Sequence, residues 1–224
     1  MPALFDPPSE APMGKHALVV GCEQGSLEWF SVRLGKPTAS RFNDIITNKG
    51  EPTKGEKRQR YINEIIGERI SGTIQMHHTT DAMERGKALE APARGWYEMA
   101  CGCDVRQVGF VLHDSRAYGC SPDGLVGDDG MVEIKCPLRP TFIKHLRGKK
   151  AVPTEYIVQI QSQLWIAERA WCDWCMYSED AKLRPVTARV TADLDFHAAL
   201  EFELAKFIAE VAEAEAIVRE RMGA

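Results

Sequence analysis

Apolar positions along this chain switch between two spacings, and the switches divide it into helical and extended segments. From Glu56 to Ile70, the residues Tyr61, Ile62, Ile65, Ile66 and Ile70 recur every three or four positions, the stripe of an amphipathic helix. A longer helix follows over Asp81 to Ala100, capped by Thr79 or Thr80, anchored by Trp96 and Tyr97 and interrupted at Pro92. Pro153 to Arg169 gives a third, with Ile157, Ile160, Leu164 and Ala167 facing the core. Asp193 to Met222 gives a long terminal helix with Leu194, Phe196, Leu200, Leu204, Phe207, Ile208 and Val211 apolar. Nearer the start, Leu27 to Leu34 forms a short helix that Gly35-Lys36-Pro37 ends. Thr38-Ala39-Ser40 then opens another, with Phe42, Ile45 and Ile46 buried. Alternating or continuous apolar runs predict strands over Val105 to His113, Ala117 to Cys120, Met131 to Cys136, Trp171 to Tyr177 and Pro185 to Thr191, with a short helix over Thr141 to Leu146. The proline-bearing residues 1–20 read as a loose arm, and the polar segment Asn48 to Lys57 as a mobile loop.

Composition narrows this little. A chain of 224 residues, 44% hydrophobic and 27% charged, fits one soluble globular domain. No apolar run approaches the roughly 20 residues that cross a bilayer, and Met1 to Lys15 lacks a secretory apolar segment. Seven cysteines without framework spacing predict a reducing, cytoplasmic setting. The net charge of -4 does not advertise a nucleic-acid partner, but it permits local concentration of cations. Two such clusters are Lys49, Lys54, Lys57, Arg58 and Arg60, and Lys144, His145, Arg147, Lys149 and Lys150.

Candidate chemistry concentrates in Gly119-Cys120-Ser121-Pro122-Asp123-Gly124 and Met131-Val132-Glu133-Ile134-Lys135-Cys136. On a strand, Glu133 and Lys135 share a face while Val132, Ile134 and Cys136 take the other. Asp129-Gly130 is a hairpin signal that folds Asp123 back toward Glu133. Two carboxylates beside an amine suit Mg²⁺ or Mn²⁺ and a water to be activated, although such a pair is more often a solvated ion pair. Arg33 and Ser40 flank a helix start, where an anion is favoured. Glu90 stands four residues after Gly86, which leaves room beside it. Tyr156, Gln159 and Gln163 line a polar face of their helix, whereas Gln161 points elsewhere. His77-His78 read as loop residues, and Cys172 with Cys175, on opposite faces of a strand, as buried free thiols rather than metal ligands.

The order of elements gives an α-β-β-β-α-β unit that resembles the core of the PD-(D/E)XK nuclease superfamily. Gln24-Gly25 with Trp29, Arg33-Leu34-Gly35, Thr38-Ala39-Ser40, Gly86-Lys87 with Glu90, Cys120-Ser121-Pro122-Asp123-Gly124, Glu133-Ile134-Lys135-Cys136-Pro137 and Tyr156 with Gln159 and Gln161 resemble, in order, the phage lambda exonuclease (YqaJ-type viral recombinase) family. The resemblance implies an α/β fold of mixed α+β character. A central mixed sheet is flanked by helices, in a restriction-endonuclease-like single domain over residues 1–224, with extra N- and C-terminal helices. It implies a 5′-to-3′ exonuclease on double-stranded DNA ends that releases 5′-mononucleotides and leaves 3′ overhangs for recombination. Asp123, Glu133, the Ile134 backbone carbonyl and Glu90 would hold two Mg²⁺ (or Mn²⁺) ions. Lys135, with Gln159, would serve the attacking water. Arg33, Ser40 and Ser121 would hold the terminal 5′ phosphate, and Met83, Gln161 and Tyr156 would contact or split the DNA. A homotrimeric ring, a single-strand annealing partner and a phage or prophage gene expressed in the bacterial cytoplasm complete the implication. The alternatives are a RecB-like or CRISPR-associated relative with an iron–sulfur cluster, and a non-catalytic module that binds DNA ends.

Overall fold

The structure is a computed structural model and describes residues 8–74 and 80–223. Two sheets form its frame. Strands β1 (Glu10–Pro12), β2 (Ala17–Val20), β4 (Phe110–His113) and β5 (Gly119–Cys120) make a small antiparallel sheet in that order. The larger sheet runs β3 (Val105–Arg106), β6 (Gly124–Val126), β7 (Gly130–Lys135), β8 (Trp171–Met176) and β9 (Val186–Thr191). Within it only β7 and β8 are parallel. A parallel neighbour requires a crossover, supplied here by α4 (Arg139–Leu146) and α5 (Thr154–Ile166).

The alternation of β7 decides where everything else packs. Val132 and Ile134 enter a cluster with Ala93 and Tyr97 of α3 (Asp81–Cys101). Met131, on the opposite face, enters the main core. That core is closed by α2 (Glu56–Ser71), α5 and α6 (Leu194–Met222). Tyr61 of α2 stacks near Phe207 of α6, with ring centroids 5.5 Å apart, and Arg58 reaches across to Glu210. Cys172 and Cys175 fall in the two separate clusters, so one metal ion cannot bind both. Among the described residues no helix is long and apolar enough to cross a membrane.

Several expectations need correction. The loose arm contains β1 and β2, because β4 is an apolar edge whose backbone groups need partners. The single strand expected over Val105 to His113 is two, β3 and β4, in different sheets. The break sits where Gly109 passes the Cys22 backbone so closely that a Cβ would lie 1.9 Å from its carbonyl oxygen. The helix opened by Thr38 is a 3₁₀ turn over Ala39–Asp44. The Asn48 to Lys57 segment is tied down by bonds from Thr47 N to the Glu51 carbonyl and from Thr53 N to the Ile45 carbonyl. In the hairpin, Gly127 takes the positive φ of 56°, while Gly130 already belongs to β7. Arg58 and His145 are buried and leave the basic surfaces assigned to them. His77-His78 lie outside the described residues.

Two glycines allow a paired stability test. Gly109→Ala must push backbone apart and is expected to lose about 1–3 kcal/mol. Gly67→Ala, on α2 with open space around the added carbon, should gain roughly 0.5–1 kcal/mol. Thermal midpoints of the two variants against the parent chain are expected to move in opposite directions.

Candidate active site

Asp123 lies just before β6, and the hairpin lays it along β7. There its Oδ2 accepts a 2.6 Å hydrogen bond from the Ile134 backbone N–H. Glu133, two residues before Lys135 on the same face, is only 1% exposed, so this face is an interior one rather than a solvated strand surface. Its Oε1 receives the Lys135 ammonium at 2.5 Å and the Gln159 amide at 2.6 Å. Its Oε2 is buried without a hydrogen-bond partner. A buried carboxylate oxygen left bare costs free energy unless a cation meets it.

The electrostatics agree. Burial, with Glu133 as a second negative charge, pushes the Asp123 carboxyl well above the usual carboxylate range. Burial also raises Glu90, although Lys135, Lys87 and Arg94 oppose the shift. Burial would depress the Lys135 ammonium, but Glu133 and Asp123 outweigh it and hold Lys135 above its ordinary value. These hard oxygen donors, crowded in an apolar interior, fit Mg²⁺ or Mn²⁺. The carboxylates do not close into a tight triad. Among the described residues, the three ligand groups whose atoms all lie within 4.8 Å are instead His16, His113 and Asp114.

Two cavities meet beside this centre. One, of about 660 Å³, contains Glu90 and Asp123 together with Lys87, Arg94 and Gln24. The other, of about 350 Å³, contains Arg33, Lys36, Ser40 and Arg41, with Glu64 and Glu68 also on its wall, so cations outnumber carboxylates there by one. Trp29, Phe30 and Met83 line both, so Met83, 59% exposed, stands where the acidic and basic spaces join.

The wall between them is built by hydrogen bonds that the sequence did not disclose. The Trp29 indole N–H donates to Ser121 Oγ at 2.9 Å and to the Gly109 carbonyl at 3.1 Å. Arg33 lies over the same ring, 3.8 Å from its centroid. Gln24 donates to the carbonyls of Val108 and Pro122, both at 3.0 Å, and braces the loop that carries Asp123. Gln163, almost fully buried, approaches the Ser121 carbonyl at 3.5 Å. A parallel bridge from Thr38 to Gly119 holds the Ser40 turn against the same strand. Gly25 takes a left-handed φ of 84° that favours glycine, and a Cβ there would meet only the flexible end of Lys87, at 2.8 Å from Nζ.

Tyr156 belongs to the site, its ring 5.4 Å from Lys135 Nζ and its hydroxyl 3.5 Å from His145. Gln161 does not. It is buried, donates to the Thr191 carbonyl, and accepts from Asp193 N–H and lies 2.9 Å from His197 Nε2. Its side chain is consumed by the junction of β9 and α6 and has nothing left for DNA. Lys36 was missed. Burial lowers its ammonium, with Arg69 and Arg116 adding to the effect, and neither Lys36 nor Arg33 forms an ion pair among the described residues. Its position directly after Arg33-Leu34-Gly35 was the available signal.

A family model described as a YqaJ-like viral recombinase domain matches residues 28–170. The chain belongs to the YqaJ-like viral recombinase family. Among solved structures, this family member is similar to an alkaline exonuclease (LHK-Exo) from Laribacter hongkongensis. Identity is 37%, with 88% of this chain and 98% of that one covered, at a TM-score of 0.80. The same figures hold for LHK-Exo in complex with dAMP. A phage-related exonuclease from Haemophilus somnus 129PT, at 13% identity and a TM-score of 0.66 over 83% of this chain and 96% of that one, shares the fold. No curated protein matches this chain. The match covers Trp29, Arg33, Ser40, Glu90, Asp123, Glu133 and Lys135, whereas Cys22 to Gly25 of the larger cavity precede it.

Proposed function

We propose that this protein is a Mg²⁺-dependent 5′-to-3′ exonuclease that degrades one strand from double-stranded DNA ends and leaves 3′ overhangs. The observation that carries the reading is the pair of joined cavities. One presents the half-buried carboxylates of Glu90 and Asp123, next to the buried Glu133 and its Lys135 partner. The other presents Arg33 and Lys36, which form no ion pair among the described residues, and Ser40, a setting for a terminal phosphate, with Arg41 on the same wall paired to Asp44 and Glu64.

Asp123, Glu133, the Ile134 carbonyl and Glu90 would hold the divalent ions. Bound there, the ions would lower the pKa of a coordinated water and offset charge on the phosphate and the leaving oxygen. The chain's own part is positioning. Gln159 and Lys135 fix the Glu133 carboxylate through one oxygen and leave the other free to bind. Lys135, held above its ordinary value by the bare Glu133 and Asp123, would orient or deprotonate the attacking water once ions neutralise those carboxylates. The Ser121 hydroxyl already accepts the Trp29 N–H, so its own O–H remains to donate to a phosphate oxygen. Arg33, backed by Trp29, supplies the fixed charge, with Ser40 and Lys36 on the same cavity. Met83 would wedge the terminal base pair, and Tyr156 would meet the strand near Lys135. A homotrimer that encircles its product and a single-strand annealing partner follow from the family resemblance.

The test is digestion of end-labelled linear duplex carrying 5′ phosphate or 5′ hydroxyl, beside single-stranded and covalently closed circular DNA. Phosphorylated duplex should be consumed fastest, in Mg²⁺ and not in EDTA, with label released from the 5′ end. Cutting of the closed circle would overturn the exonuclease reading. Equal rates on both kinds of 5′ end would overturn the phosphate pocket.

A further inference from the structure

Away from the two cavities, turns of the small sheet bring together groups that the nuclease reading does not use. His16 sits in the β1–β2 turn and His113 ends β4. Asp114 opens the β4–β5 turn, its backbone N–H donating to the His16 carbonyl at 2.8 Å. The Asp114 carboxylate spans both imidazoles, with Oδ2 2.6 Å from His16 Nδ1 and Oδ1 3.2 Å from His113 Nδ1. All three ligand atoms lie within 4.8 Å of one another.

We infer that His16, His113 and Asp114 form a second metal site, selective for an imidazole-preferring transition ion such as Zn²⁺ over Mg²⁺. Three features of the geometry carry this. First, the ligands are two ring nitrogens and one carboxylate, a set that Zn²⁺ binds with a fourth position open to water. Second, the Ser115 backbone N–H donates to His113 Nδ1 at 3.2 Å and the Ser115 hydroxyl lies 2.8 Å from it, so that nitrogen carries a lone pair, one that a metal ion would take over from Ser115. A second acceptor, Asp114 Oδ1, faces it at 3.2 Å, and a cation between them relieves the opposition. Third, the ligands are held. His113 stacks on Tyr118 (centroids 4.6 Å apart), which stacks on Trp165 of α5 (5.4 Å), and His16 lies over His113 at 5.6 Å. The Arg116 guanidinium grips both Glu10 oxygens and pins the turn to β1, and both Glu168 oxygens accept the His16 N–H at 3.2 Å.

An occupied site would join the β1–β2 and β4–β5 turns to each other. Through the ring stack it would also brace α5, the helix that carries Gln159 and Gln163. The class of ligand separates it from the carboxylate centre, whose oxygen donors suit Mg²⁺.

The experiment is equilibrium dialysis of the full chain against micromolar free Zn²⁺ with millimolar Mg²⁺ present, followed by measurement of bound zinc and of the thermal midpoint. One zinc per chain is expected, retained in Asp123→Asn, with affinity at least about tenfold weaker in His16→Ala and in Asp114→Asn. Zinc should raise the midpoint of the parent chain and not of these two variants. Both side chains are more than two-fifths exposed, so neither substitution opens the core. Failure of the parent chain to retain zinc, or equal retention by His16→Ala, would overturn the site. Neither result bears on the nuclease reading, because Mg²⁺-dependent digestion is measured separately and without zinc.

Discussion

Lys135→Ala is expected to lower Mg²⁺-dependent hydrolysis by about 10²–10³-fold, the effect of removing one preorganised charge from a water-poor site. Its effect on folding distinguishes it from an ordinary surface change. Lys135 is one of two donors to Glu133 Oε1, and the other oxygen of that buried carboxylate has no partner. Without a divalent ion the variant carries an uncompensated buried charge, a loss of up to about 3–5 kcal/mol. Added Mg²⁺ should recover much of this by binding the native state. The checking measurement is paired, with thermal midpoints with and without Mg²⁺ beside digestion rates. Stability should return with Mg²⁺ while activity does not. A variant that digests DNA at the parent rate would remove Lys135 from the chemistry.

Arg33→Ala is expected to abolish the preference for 5′-phosphorylated ends. Charge-assisted hydrogen bonds to phosphate contribute about 1.5–3 kcal/mol each, so the rate on phosphorylated duplex should fall by roughly 10–100-fold. The rate on hydroxyl ends should change little. Arg33→Lys should be intermediate, because lysine keeps a charge but not the planar fork that lies over Trp29. Lys36→Ala should produce a smaller loss that shrinks as salt is raised, since its ammonium lines the same cavity and salt screens its charge. The measurement is the ratio of initial rates on the two ends at matched ionic strength. A ratio unchanged by Arg33→Ala would place the phosphate elsewhere.

Much of the site was legible because it depends on short-range rules. Alternation along a strand places Glu133 and Lys135 together, and a hairpin returns Asp123 to them. Residues seven positions apart share a helix face, which sets Tyr156 and Gln163 together and leaves Gln161 off it. The hidden part depends on contacts far apart in sequence. Nothing near Trp29 tells that its N–H will meet Ser121, 92 residues later. Lys36 looks like a turn lysine until α2 and the 3₁₀ turn close around it. Over residues 10–20 the loose reading failed for the same reason. Proline content describes the local chain, whereas β1 and β2 are strands because β4 offers them partners.

By itself, then, the sequence determined most helices and strands, the family, and the carboxylate and lysine positions of the candidate site's strand. Period and motif are local properties that no distant residue can overrule at those places. Only the tertiary structure decided that Glu133 is interior with one bare oxygen, that an acidic and a basic cavity meet at Met83, and that two turns bring His16 and His113 to one aspartate. Those facts come from packing, which depends on which faces the β7–β8 crossover and the small sheet bring together.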